Sequence, residues 1–219
     1  MVNAGIIIDQ IITGLSIGSW LFLVAIGLSL VFGVLGVLNF AHGVLFSVGA
    51  YVTVSVIGSS FGNFWIGIVA AGLVVGVLGV IIEMGFVRRL YGRAEEELDQ
   101  LLLTFAFVLI LEDGIRVLFG SGTLQTDPPA AFQFNVAVAG FSIPAYRGFV
   151  ILVSFAVMGA ILVTLKTTNF GRLVRATSSD RDMASLLGVN VPRLYTMVFF
   201  IGAALAGIGG AFAAPLQSV

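Results

Sequence analysis

Long apolar runs, broken by short polar stretches, set the pattern of this chain. Apolar residues continue over about residues 11–35, 44–57, 64–87, 101–119, 148–165 and 194–214. Polar stretches cover residues 88–100 ("RRLYGRAEEELDQ") and 166–193, and a Gly/Pro-containing connection covers 120–146. About 20 apolar residues in a helix match the ~30 Å hydrocarbon core of a bilayer. Strands of a membrane barrel would alternate over roughly ten residues; these runs are longer and unbroken. Lipid offers backbone groups no hydrogen bonds, so helices are the remaining way to span it. The pattern predicts an all-α, polytopic membrane bundle of about six apolar helical segments, one domain over residues 1–219. The run at 44–57 is short and Gly-containing; it either crosses or dips in as a re-entrant segment.

Composition strengthens this picture. The 219 residues are 59% hydrophobic and only 10% charged, against about 25% charged in an ordinary soluble domain. The 28 glycines suit close helix packing in lipid. A net charge of −1 leaves no basic footprint for nucleic acid. With no cysteine, disulfides and thiolate metal sites are excluded. One His and scattered carboxylates make no metal-ligand set, so neither metal nor cofactor is expected. The N-terminal "MVNAGIIIDQIITG" lacks a basic n-region and a small-residue cleavage site, and reads as the start of the first span.

Basic residues in short loops mark the cytoplasmic side. Arg88, Arg89 and Arg93 mark loop 88–100; Lys166, Arg172, Arg175, Arg181 and Arg193 mark loop 166–193. The connection before the fifth run has only Arg147, with Asp127 nearby. Alternation then places the "GVLNF" turn inside and the N-terminus outside.

The 28 residues from 166 to 193 exceed a plain connection. A basic helical piece is expected at about residues 170–176. "TSSD" then supplies N-cap residues before "RDMASLLG". Asp180 and Asp182 suit the positive end of the helix dipole. Met183, Leu186 and Leu187 share one face, and Gly188 fits a C-terminal stop. So short an amphipathic helix needs a partner for its apolar face. That partner is its own membrane domain, the headgroup layer, or a second cytoplasmic protein.

Asp182-Met183-Ala184, three residues, then Gly188 keeps the spacing of the cytoplasmic Glu-Ala-Ala-x-x-x-Gly signature of ABC-importer permeases. Around it, "GRLVRATSSDRDMASLLGVNVPRLYTMVFFIGAALAGIGGAFAAPL" (171–216) resembles the permeases of branched-chain amino acid importers. So do "GLSIGSWLFLVAIGLSLVFGVLGVLNFAHGVLFSVGAY" (14–51) and "LLLTFAFVLILEDGIRVLFG" (101–120), in the same order. The resemblance points to the permease type carrying "NFAHG". It departs at the signature, where Asp-Met replaces Glu-Ala, and at the end, where the family continues with further helices that this chain is expected to lack.

The resemblance implies a multi-pass permease subunit of the bacterial plasma (inner) membrane. Its implied partners are two ATP-binding cassette ATPase subunits, a second permease subunit and an extracytoplasmic solute-binding protein. It implies docking of the ATPase on Arg181, Asp182, Met183, Ala184, Leu187 and Gly188, supported by Arg172 and Arg175. The chain has no Gly-x-x-x-x-Gly-Lys-Ser/Thr phosphate loop, so ATP hydrolysis falls to a partner and no catalytic residue is expected. Branched-chain amino acids are the implied solutes, though related permeases take amides, urea or other amino acids.

The rival class is a secondary transporter or channel for small polar solutes, which would be expected to carry carboxylates or His relays at mid-membrane. Here charges gather at the span ends: Asp9, Glu83 beside Arg88 and Arg89, and Glu112, Asp113 and Arg116 near the outer end of the fourth run. An intramembrane enzyme using His42 lacks a partner acid, nucleophile or metal. Asn39 and His42, in "LNFAHG", are three apart and share a helix face. They either hydrogen-bond a helix junction as a hinge or line the solute path.

Overall fold

A computed structural model describes residues 4–59, 62–91, 96–120, 122, 124, 126–138 and 141–217. Arg93 and Glu95 lie outside the described residues. The helices are α1 (Ala4–Leu35), α2 (His42–Ile57), α3 (Phe64–Gly85), α4 (Glu96–Phe119), α5 (Ala145–Thr167), α6 (Asn169–Ser179), α7 (Arg181–Leu186) and α8 (Val191–Ala213). Among the described residues four helices are long and apolar enough to cross a membrane: α1, α3 extended by the 3-10 turn Val87–Leu90, α5 and α8. Helix α2 is apolar but has only 16 residues. Helix α4 has the length, with 24 residues, but carries Glu112, Asp113 and Arg116 in its last two turns. The polytopic helical bundle expected from the runs is therefore present. The connection before α5 adds an antiparallel ribbon, β1 (Asn135–Val138) and β2 (Phe141–Pro144), in register Asn135 to Pro144.

Helix α8 is the axis of the bundle, and small residues put it there. A Cβ on Gly210 would lie 2.0 Å from the Phe46 carbonyl of α2. One on Gly207 would lie 2.7 Å from the Ala71 carbonyl of α3, and one on Gly202 2.8 Å from the Gly27 carbonyl of α1. Backbones meet where side chains are missing, as expected when helices associate in lipid by close packing. The two ends of the bundle differ. One gathers Arg88, Arg89, Lys166 and the arginines of α6 and α7. The other carries a cluster of rings, with Phe132 and Phe149 at 4.5 Å and Trp65 and Phe149 at 5.5 Å. Tyr146 there donates to the Phe212 carbonyl at 3.0 Å, tying α5 to α8.

Candidate coupling segment and helix break

The 166–193 segment folds as two helices with a sharp corner at each end. Thr168 caps α6, its Oγ1 accepting from Gly171 N at 3.2 Å. Only glycine fits at 171, because a Cβ would lie 2.0 Å from the Leu165 carbonyl. Arg175 donates to that same carbonyl, and Arg172 donates to Asn169 Oδ1. Both arginines thus brace the α5–α6 corner. Ser178 Oγ donates to the Gly33 carbonyl at 2.8 Å, fixing the end of α6 to α1.

Asp180, in extended conformation, separates α6 from α7. Its Oδ1 accepts from Met183 N at 2.8 Å, as an N-cap should. At the other end Gly188 N donates to Ser185 O at 3.0 Å and Val189 N to Ala184 O at 3.1 Å. This is a Schellman stop, and it requires the left-handed φ of +88° that Gly188 adopts. Ala184 is the buried contact of α7, whereas Leu186 and Leu187 are 81% and 79% exposed and Met183 is exposed beside them. Asp182 and Arg181 lie in the exposed first turn. Beside the stop, a groove of about 470 Å³ runs between α6 and α8, lined by Phe170, Leu173, Leu187, Arg193 and Met197.

Two features behind this segment were not visible as sequence motifs. Fully buried Glu83, at the end of α3, accepts from Arg88 Nε and Nη2 at 3.0 Å each. Thr196 of α8 donates to Glu83 Oε2 at 2.9 Å, and Arg88 also donates to the Pro192 carbonyl at 3.2 Å. Glu83, which the sequence places beside Arg88 and Arg89, is thus held inside the bundle by Arg88, as a bidentate bridge joined to the start of α8. Next to it the rings of Tyr91 and Tyr195 meet edge to face at 5.4 Å. The Arg181 guanidinium carbon lies 5.4 Å from the first ring centroid and 5.5 Å from the second. Burial pushes the Tyr91 phenol well above its usual range, so the ring stays neutral.

At the break between α1 and α2, Gly36 turns the chain with a left-handed φ of +71°, residues 37–39 lie outside any helix, and Phe40 and Ala41 form a turn in which His42 N donates to Asn39 O at 3.1 Å. Val37, Asn39 and Ala41 point inward and Leu38 and Phe40 outward, the alternation of a strand. Thr104 of α4 lies against this strip, its Oγ1 3.3 Å from both Leu38 O and Phe40 N. The strip runs back into the bundle, which is why α2 is short: His42 Nε2 donates to the Val24 carbonyl at 3.0 Å. Val24 lies three turns before the end of α1, about 16 Å along its axis. The bond needs a small neighbour, since a Cβ on Gly27 would lie 3.1 Å from His42 Nε2. Asn39 and His42 are 4% and 2% exposed, and both polar atoms of the Asn39 side chain and His42 Nδ1 have no protein partner.

The remaining charges hold local positions. Arg147 pairs with Asp9 at 2.9 Å and donates to Thr13 at 2.6 Å, joining α5 to α1 at the ring-rich end. Asp113 and Arg116 face one another at 3.8 Å on the exposed side of α4.

A family model described as "Branched-chain amino acid transport system / permease component" matches residues 10–219. The high-affinity branched-chain amino acid transport system permease protein LivH of Escherichia coli (strain K12) is 30% identical, over 93% of this chain and 69% of its own length. The corresponding BraD protein of Pseudomonas aeruginosa is 29% identical, over 92% of this chain and 68% of its own. A probable LivH of Methanocaldococcus jannaschii is 25% identical, over 91% and 64%. No solved structure matches the chain. With nearly its whole length matched, the chain belongs to the family of branched-chain amino acid transport permease components.

Proposed function

We propose that this chain is the membrane subunit of an ATP-driven importer that carries branched-chain or related amino acids, the solutes in its relatives' names. It works with two separate ATPase subunits, a second permease subunit and an external solute-binding protein. The basic end of the bundle, with loops 88–100 and 166–193, is cytoplasmic, and the N-terminus is outside. The observation that carries this reading is α7. A helix too short to persist alone is fastened at both ends, yet it leaves Met183, Leu186 and Leu187 uncovered at the basic end. An apolar face held rigid in water is a docking surface.

Within the contact set Arg181, Asp182, Met183, Ala184, Leu187 and Gly188, the residues divide by role. Met183 and Leu187 meet the ATPase, and Asp182 faces it from the first turn. Ala184 and Gly188 fix the helix, while Arg172 and Arg175 brace the corner behind. Asn39 and His42 act at the α1–α2 junction; their burial supports that role over path lining.

Reconstitution of the chain with its ATPase and binding protein in vesicles tests the reading. Leucine uptake should require ATP and persist when ion gradients are collapsed, and Leu187→Asp should abolish ATPase copurification. Uptake driven by an ion gradient without ATP would establish a secondary transporter instead.

A further inference from the structure

We propose that Arg181 is a positioning residue that latches α7 onto the joined ends of α3 and α8, through the faces of Tyr91 and Tyr195. The inference rests on the reading of α7 as the ATPase contact and names how motion leaves it. Arg181 is the first residue of α7 and lies immediately after the extended joint at Asp180. Its guanidinium carbon is within 6 Å of both ring centroids, the range in which a cation is attracted to a ring face. A planar, weakly hydrated guanidinium can stack there in a way that an ammonium cannot.

The two rings are well placed to receive a load. Tyr195 is buried in the first turns of α8, next to Thr196, and Tyr91 follows the 3-10 turn that ends α3. Thr196 and Arg88 clamp these same two elements through Glu83. The two halves of the segment are therefore fastened at different points. Helix α6 is fixed to α5 by Arg175 and to α1 by Ser178, with Val174 buried in one cluster with Val191 and Leu194 of α8, whereas Arg181 is the tie from α7 to the ring pair at the ends of α3 and α8. With an extended residue at Asp180, displacement of the exposed Met183–Leu187 side is delivered through Arg181 to the joined ends of α3 and α8.

The absence of native cysteine makes the test direct. Spin labels at Ser185→Cys and Met84→Cys would report the α7–α3 distance in the assembled transporter in lipid nanodiscs. The parent should give one narrow distance distribution. Arg181→Ala should broaden it and lower solute moved per ATP severalfold. Tyr91→Phe, which keeps the ring face, should behave as the parent, and Tyr91→Leu should reproduce Arg181→Ala. An unchanged distribution with unchanged transport per ATP in Arg181→Ala would overturn the latch. So would equal effects of Tyr91→Phe and Tyr91→Leu. If the parental chain binds no ATPase, the functional reading fails, and the distances in the permease alone still decide the latch.

Discussion

Helices α5 and α8 have the same length, 23 residues, and opposite surroundings. In its most apolar stretch α8 is 67% buried and α5 only 11%, although α5 is the more apolar of the two. In water that ordering would be reversed. In lipid an apolar side chain gains little by turning inward, and what draws helices together is the closeness of approach. Helix α8 presents Gly202, Gly207, Gly209 and Gly210 to three neighbours, whereas Gly148 and Gly159 of α5 face open space. Position in this bundle follows side-chain size more than hydropathy.

The contrast can be broken most severely at Gly210. Gly210→Leu would drive a side chain into the Phe46 carbonyl and Ala50 nitrogen of α2. Backbone cannot give way as a flexible side chain can, so the cost should exceed the ~3 kcal/mol typical of overpacking. Loss of the folded fraction in a detergent thermal melt would show it. Next comes the clamp that anchors the start of α8. Glu83→Ala leaves Arg88 without its carboxylate and should cost about 3 kcal/mol in denaturant unfolding. Replacing both partners with Met should recover most of that loss.

His42 gives a smaller effect. His42→Leu removes the bond to the Val24 carbonyl and should cost about 1 kcal/mol. His42→Gln keeps a donor and should largely preserve uptake; complete loss of uptake at normal protein level would refute a hydrogen-bonding role. Helix α5 should be more forgiving. Arg147→Ala breaks a half-exposed ion pair with Asp9, and its expected cost is below about 1 kcal/mol by the same unfolding assay. Gly159→Leu sharpens the comparison from its quiet side. Nothing lies near its Cβ, so melting should shift by less than about 0.5 kcal/mol equivalent. A large effect there would mean that α5 is covered in the assembled transporter.

Features that depend on near neighbours in the chain were legible in advance. Helix runs, the Asp180 cap and the Gly188 stop each follow from a few adjacent residues. Glu83 could be placed beside its arginines because they are one turn away. The partners across the bundle could not. Thr196 is 113 positions from Glu83, and no local rule joins Tyr91, Arg181 and Tyr195. The ribbon at 135–144 is too short for an alternation signal to stand out among Gly and Pro. The strip at 36–41 does alternate, but two of its three inward residues are apolar, so the pattern dissolves into the flanking runs. Asn39 and His42 were recognisable as a junction. That the junction runs back along α1 depends on a bond reaching 18 positions up the chain.

The non-helical joint between α1 and α2 has a consequence for how the bundle can change shape. Rotating one transmembrane helix against another usually requires repacking along their whole length. Here α1 and α2 are joined by a short non-helical stretch, residues 37–39, and a single turn at Phe40 and Ala41, with little hydrogen-bond ladder to unwind. Their hold on the surroundings includes Thr104 on one side and His42 on the other. Those contacts can be exchanged singly, so the joint can open while α1 and α2 stay intact as helices and α2 stays seated on α8. In amide exchange such a seam would open well before the helices around it, marking the place where the transporter deforms at least cost.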